Sequence, residues 1–267
     1  MASDPSPMTI GTIAAVRRLL DGPPDAAKLE QALRHLAKWR SELVSNTLAQ
    51  KSGVAVQSGP FKGMQYVVRA SEGSRSARML GAYEASIAPI IEDIVTRGYG
   101  LVIDVGSAEG YYAVGLARRM PGVPVLARDA NPTAQALCRA LAEANGVADQ
   151  VQIGGLMDHA SFAICQRQKT LVVCDIEGAE GELLNPVAAP GLLVADILVE
   201  AHDCIRPGLS KLIASRFAAT HHITALGRTL DASCLPAWME SLSDLDRLIA
   251  LWEWRSGPTP WLWMVRK

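Results

Sequence analysis

Residues 101–117, LVIDVGSAEGYYAVGLA, constrain the fold of this chain more than any other stretch. Leu101 to Val105 is apolar except for Asp104, the continuous run of a strand buried on both faces of a parallel sheet. The turn Gly106-Ser107-Ala108-Glu109-Gly110 follows at once. Beyond it, Tyr112, Val114, Leu116 and Ala117 recur at helical spacing. The reading is strand, glycine turn, helix. The glycines permit positive φ and close approach of a ligand to the backbone. The new helix offers free N–H groups and the positive end of its dipole. An α/β sheet builds a nucleotide-type site in this way.

The dinucleotide fingerprint has three glycines, G-x-G-x-x-G. This chain has Gly106-x-Ala108-x-Gly110 and no third glycine, and it places Asp104 before the turn and Glu109 within it. Acid there disfavours a pyrophosphate and suits an ammonium or sulfonium ligand. The segment resembles the first motif of class I S-adenosylmethionine-dependent methyltransferases, (V/I)-D-(V/I)-G-x-G-x-G, with Ala108 in place of the middle glycine. An alanine there fits that turn if its φ is negative. The resemblance implies S-adenosylmethionine as cofactor, held by Asp104, Gly106, Ser107, Glu109, Gly110 and Tyr111.

The chain has 267 residues, enough for one large α/β domain with additions. Its net charge of −1 provides no global basic field to recruit nucleic acid or a membrane surface. Its five cysteines are scattered and form no C-x-x-C pair, which reads as reduced, mostly buried thiols of a cytoplasmic protein. MASDPSPMTI has neither the basic start nor the apolar core of a signal peptide, and no apolar run is long enough to span a bilayer.

Before the cofactor strand stand two expected helices, Thr9 to Leu20 and about Asp25 to Gln50. In the second, Leu29, Leu33, Leu36, Val44 and Leu48 recur at helical spacing. Val54–Val56 and Met64–Val68 read as short strands around Ser58-Gly59-Pro60. Residues 1–75 thus form an N-terminal helical addition, a lid or a homodimer contact, ahead of a Rossmann-like domain over 76–267. Ser71 to Arg78 reads as solvated surface, with Arg75 and Arg78 as the alternative contacts for an anionic substrate. A helix from about Arg78 to Arg97 feeds the cofactor strand, and Tyr83 and Glu84 on it either approach the methionine end of the cofactor or lie on ordinary helix surface.

Asp129 closes the second strand, where a carboxylate accepts hydrogen bonds from both ribose hydroxyls and repels a 2′-phosphate. Asn131 caps the helix that starts at Pro132 and stands beside Asp129 among the expected cofactor contacts. After the third strand, Val151–Ile153, the methyltransferase resemblance implies that Met157 covers the adenine ring and Asp158 accepts from its amino group. The fourth strand opens LVVCDIEGAEGELL, which resembles the D-x-E-G-A-E segment of FkbM-like methyltransferases. Asp175 and Glu177 emerge there at the carboxyl edge of the sheet; Glu177 and Glu180 also suit a helix start. The fifth strand ends in Glu200, Ala201, His202 and Asp203. Its alternation puts Glu200 and His202 on one face. His221 and His222 are adjacent on a sixth strand and point to opposite faces, a structural arrangement. The tryptophans near the C-terminus pack the core or line an acceptor pocket.

These features imply an α/β fold: a Rossmann-like, doubly wound, mostly parallel seven-stranded sheet with a final antiparallel strand and the N-terminal helical addition. An oxygen acceptor needs a base or a metal. His202, Asp175 and Glu200 are the candidate catalytic residues. A divalent metal such as Mg²⁺ would use Asp175, Glu177, Glu200 and His202; metal and metal-free versions both stand. The chain lacks the N/D-P-P-Y segment of amine-directed enzymes and the Pro-Cys nucleophile of cytosine C5 enzymes. The expectation is O-methylation of a small molecule or glycan. The rivals are an RNA or protein methyltransferase and a non-catalytic nucleotide-binding module.

Overall fold

The structure, a computed structural model, describes residues 4–71 and 73–267. The sequence predicts disorder over residues 1–7; the first three lie outside the described residues, while Ser6 caps and Pro7 opens the first helix. The chain opens with a helical hairpin, α1 (Pro7–Leu20) and α2 (Ala26–Ser52), capped by the side chains of Ser6 and Asp25. Then follow α3 (Arg75–Leu80), α4 (Ala88–Ile94), β1 (Leu101–Val105), α5 (Tyr111–Arg119), β2 (Val125–Arg128), α6 (Pro132–Ala144) and β3 (Val151–Gly154). The second half contains β4 (Thr170–Cys174), α7 (Glu180–Leu183), β5 (Asp196–Glu200), α8 (Leu209–Phe217), β6 (His221–Leu226), α9 (Asp244–Leu251) and β7 (Trp261–Arg266).

One seven-stranded sheet has the order β3-β2-β1-β4-β5-β7-β6. β1 to β5 run parallel, and β7 runs antiparallel to both β5 and β6. This is the expected doubly wound sheet. Alternate strand residues feed two cores. Val102, Val173 and Leu198 face α4, α5 and α9, while Ile103, Val172 and Val199 face Phe162 and α8. The strand order reverses between β1 and β4, and in such sheets that is where the ligand crevice opens. Among the described residues, no helix is long and apolar enough to cross a membrane.

Two local expectations are corrected. The two short strands of residues 54–68 reduce to a single antiparallel bridge, Ala55 with Gln65, and the apolar side chains there instead fill the core beside α5. The helix expected over 78–97 is broken. Gly81 ends α3 at φ 77°, with its backbone against Ser58, and Pro89 lies in the first turn of α4. The stretch from Leu235 to Trp252, whose pattern predicts a mostly helical segment, is one: a 3-10 helix over Ala237–Ser241 leads into α9.

The hairpin is amphipathic in an unusual way. Val44 and Leu48 of α2 are buried, but Leu29, Leu33 and Leu36 remain exposed, as do Ile10, Ile13 and Leu20 of α1. Trp39 donates to Thr9 Oγ1 across the hairpin, so the two helices run antiparallel with these apolar faces at its outer end.

Candidate active site

A cavity of about 1030 Å³ lies at the carboxyl ends of β1, β2, β4 and β5. Its floor is the turn after β1. Gly106 holds φ 81°, and a Cβ there would lie 1.6 Å from the carbonyl oxygen of Asp175, so this junction requires glycine. Ala108 has φ 47°, not the negative value expected of it. An L-residue in that conformation costs about 1–2 kcal/mol, which the surrounding bonds must offset. Asp129 contributes to this: its Oδ2 accepts from Ala108 N at 2.9 Å and its Oδ1 from Asn131 N at 2.7 Å.

The expected cofactor contacts divide into two groups. Gly106, Asp129, Met157, Asp158 and Asp175 line the cavity. Asp158 also caps the turn at Ser161, whose N–H and hydroxyl hold its carboxyl below the usual range. Asp104 and Ser107 lie beneath the floor, each with a buried oxygen that has no hydrogen-bond partner. Burial, then the charge of Asp175, pushes the Asp104 carboxyl up to about 8. A buried carboxyl oxygen and a buried hydroxyl left without partners under a glycine turn fit a polar ligand that would satisfy them.

The second group does not line the cavity. Glu109 is fully buried, accepts from Tyr66 Oη at 2.6 Å and Ser71 N at 2.8 Å, and pairs with Arg78 at 2.9 Å. It ties the segment before α3 to the turn. Tyr111 packs edge-on against Phe61, Tyr66 and Tyr83. Gly110 starts α5 and Asn131 caps α6. Glu84 sits behind Tyr83, where it accepts from Tyr112 and pairs with Arg255. Arg78 is not solvated surface; it is 4% exposed, lines the cavity and lies over the Tyr83 ring.

The catalytic candidates converge. His202 Nδ1 lies 2.6 Å from Glu180 Oε1, while its Nε2 lies 3.6 Å from Asp175 and 3.4 Å from Glu177. Glu180 is fully buried, and the same oxygen accepts from Ile176 N and Gly178 N. Burial alone would lower the His202 pKa, but the bond to Glu180 and the charges of Asp175, Glu180 and Glu177 raise it to about 9. Burial and the Glu84 charge raise Asp175, against the opposing pull of His202. A buried carboxylate behind Nδ1 fixes the ring, with Nε2 turned toward Asp175 and Glu177, an arrangement that can serve as a base once the ring is neutral. Sequence reasoning assigned Glu180 only to a helix start. The signal was present in its spacing of five from Asp175 within one turn.

Glu200 is buried and paired with Arg255, which also pairs with Glu84 and with Glu253 at 2.7 Å. Sequence reasoning missed this arginine, because Glu84 and Glu200, which it pairs with, lie far away along the chain. Asp175, Glu200 and His202 present donor atoms within 4.8 Å of one another. The Arg255 guanidinium already neutralises Glu200, so a hard dication does not fit this set without expelling it. Of the tryptophans, Trp254 lines the cavity at φ 67°, under Lys38 of α2, and Arg34 bonds its carbonyl. Trp261 and Trp263 are core.

No family model matches the chain, and no curated protein does either. Solved structures do. An O-methyltransferase from Bacillus cereus in complex with SAH is 14% identical, with 95% of this chain and 97% of that one covered and a TM-score of 0.43. The human methyltransferase 10 domain containing protein is 11% identical, over 85% of this chain and 95% of that one, at a TM-score of 0.48. TrmN from Thermus thermophilus is 14% identical, over 73% of this chain and 53% of that one, at 0.43. Likenesses this distant carry no substrate information, and the chemistry must come from the cleft itself.

Proposed function

We propose that the protein is a methyltransferase of the FkbM-like kind that transfers the methyl group of S-adenosylmethionine to a hydroxyl oxygen of a small molecule or glycan. The observation that carries this reading is the Glu180–His202–Asp175 array, which faces the same cleft as the glycine turn and Asp129. Asp129 would hold the ribose and Met157 the adenine, with Asp104 beneath a cationic ligand. The bound cofactor supplies an electrophilic methyl group on sulfonium. His202 Nε2 takes the proton that leaves the acceptor oxygen, and Glu180 holds the ring in place. Arg255 fixes Glu200 and Glu84 and leaves the site without need of a metal.

Among the described residues, the cleft is lined by seven carboxylates (Asp129, Asp158, Asp175, Glu177, Glu182, Glu200, Glu253) against four lysine and arginine side chains (Lys38, Arg78, Arg128, Arg255) and two histidines (His159, His202). That balance opposes a polyanionic acceptor such as RNA. The direct test is transfer of labelled methyl from S-adenosylmethionine to a panel of polyols, sugars and phenols, with and without EDTA. Transfer that survives EDTA is expected. Label passing only to RNA or protein would refute the acceptor class, and loss of all transfer with EDTA would refute the metal-free site.

The N-terminal addition is proposed to pair two copies through the exposed apolar faces of α1 and α2. Leu33→Glu is expected to give a monomer by light scattering where the wild type is a dimer; an unchanged mass would remove this interface.

A further inference from the structure

The amino-terminal edge of the sheet carries a second cavity, of about 560 Å³. It lies at the opposite end of β5 from the cleft, about 13 Å away along the strand. Four cations line it: Arg97 after α4, Arg167 and Lys169 in the turn before β4, and Arg266 at the end of β7. Among the described residues, Asp196 is the only acid in its lining, and it is spent. It is buried, accepts from Tyr99 Oη at 2.6 Å and Arg266 N at 2.8 Å, and lies 3.8 Å from Arg97.

Two of the cations are anchored. Arg97 pairs with Asp93 at 2.7 Å and lies over Trp263, and Lys169 donates to Arg97 O at 2.6 Å and lies over Tyr99. The other two are unused. Among the described residues, the guanidinium groups of Arg167 and Arg266 have no hydrogen bond or ion pair. Arg167, Lys169 and Arg266 are exposed around this groove, where water screens their mutual repulsion in part and an anion between them would offset the rest. Guanidinium forks match the oxygen geometry of phosphate, and several together match a group with two or more charges. The cavity also has the volume of a small-ligand site.

We infer that this groove binds a phosphate-bearing small molecule, a diphosphate or a nucleoside diphosphate, separately from the methyl-transfer cleft. Arg167 and Arg266 close on the phosphates over the preset Arg97 and Lys169. The groove does not depend on the methyltransferase reading, because it shares no lining residue with the cleft.

The test is calorimetric titration of the full chain with inorganic pyrophosphate, ADP and citrate at 50 and 200 mM salt, for the wild type and for Arg167→Glu/Arg266→Glu. Saturable pyrophosphate binding is expected, weaker at the higher salt and at least tenfold weaker in the double variant. The variant's unliganded melting temperature should match the wild type, since neither side chain holds the fold. ADP binding more tightly than pyrophosphate identifies a nucleotide ligand, and equal affinity identifies the bare phosphate chain. Absence of saturable pyrophosphate binding, citrate binding as tightly, or undiminished binding by the double variant would each overturn the inference.

Discussion

His202→Ala is expected to lower kcat by roughly 10²–10⁴-fold, the range that a positioned general base supplies. The ring is held from behind by fully buried Glu180 and presents Nε2 to the cleft. Its pKa near 9 sets a sign. In the free protein the imidazole is protonated at neutral pH, so it accepts a proton only after losing one. The rate with wild type should therefore climb as pH rises toward about 9, and that limb should vanish in His202→Ala. Stability runs the opposite way. A histidine raised from 6.5 to about 9 on folding contributes stability that is fully present below 6.5 and is lost as pH rises through about 9. Melting temperatures across that window should fall more steeply for the wild type than for the alanine variant. A variant with unchanged turnover and an unchanged pH profile would remove His202 as the base.

Gly106→Ala should cost about 3 kcal/mol or more in urea denaturation and abolish cofactor binding. Two causes add. A non-glycine residue at φ 81° costs about 1–2 kcal/mol. The new Cβ would also meet the Asp175 carbonyl oxygen at 1.6 Å and its carbon at 2.7 Å, both backbone atoms that cannot rotate away. Relief requires the ends of β1 and β4 to part where Asp175 N bonds Val105 O at 2.9 Å. That movement displaces Asp175 and the floor of the cleft together. Gly122→Ala is the control, with φ 79° and nothing within 4 Å of the added atom. It should show only the backbone cost. Equal losses in the two variants would mean that the junction yields easily.

How far the sequence could be read depended on the range of the interactions. Strands such as β1 and β4 announce themselves through continuous apolar runs, and the glycine turn through its own residues. The junction of α3 and α4 did not, because Gly81 ends α3 by packing on Ser58, more than twenty positions away. Asp129, Asp175, Glu177 and His202 were legible because they follow the carboxyl ends of β2, β4 and β5, and the sheet edge gathers strand ends. Glu109 and Glu84 were not, since their partners Tyr66, Arg78, Tyr112 and Arg255 come from other parts of the chain. An acid in a motif shows its charge in the sequence, but not whether a distant arginine has already claimed it.

The central claim is that the turn after β1 and Asp129 hold S-adenosylmethionine. Its most direct test is calorimetric titration with the product form, S-adenosylhomocysteine, beside NAD as control, on wild type and Asp129→Ala. Micromolar binding to the wild type is expected, with none of NAD. The variant should lose about 1–3 kcal/mol of affinity, the cost of a missing acceptor for a buried donor. No binding of S-adenosylhomocysteine to the wild type, or binding of NAD in its place, would contradict the account.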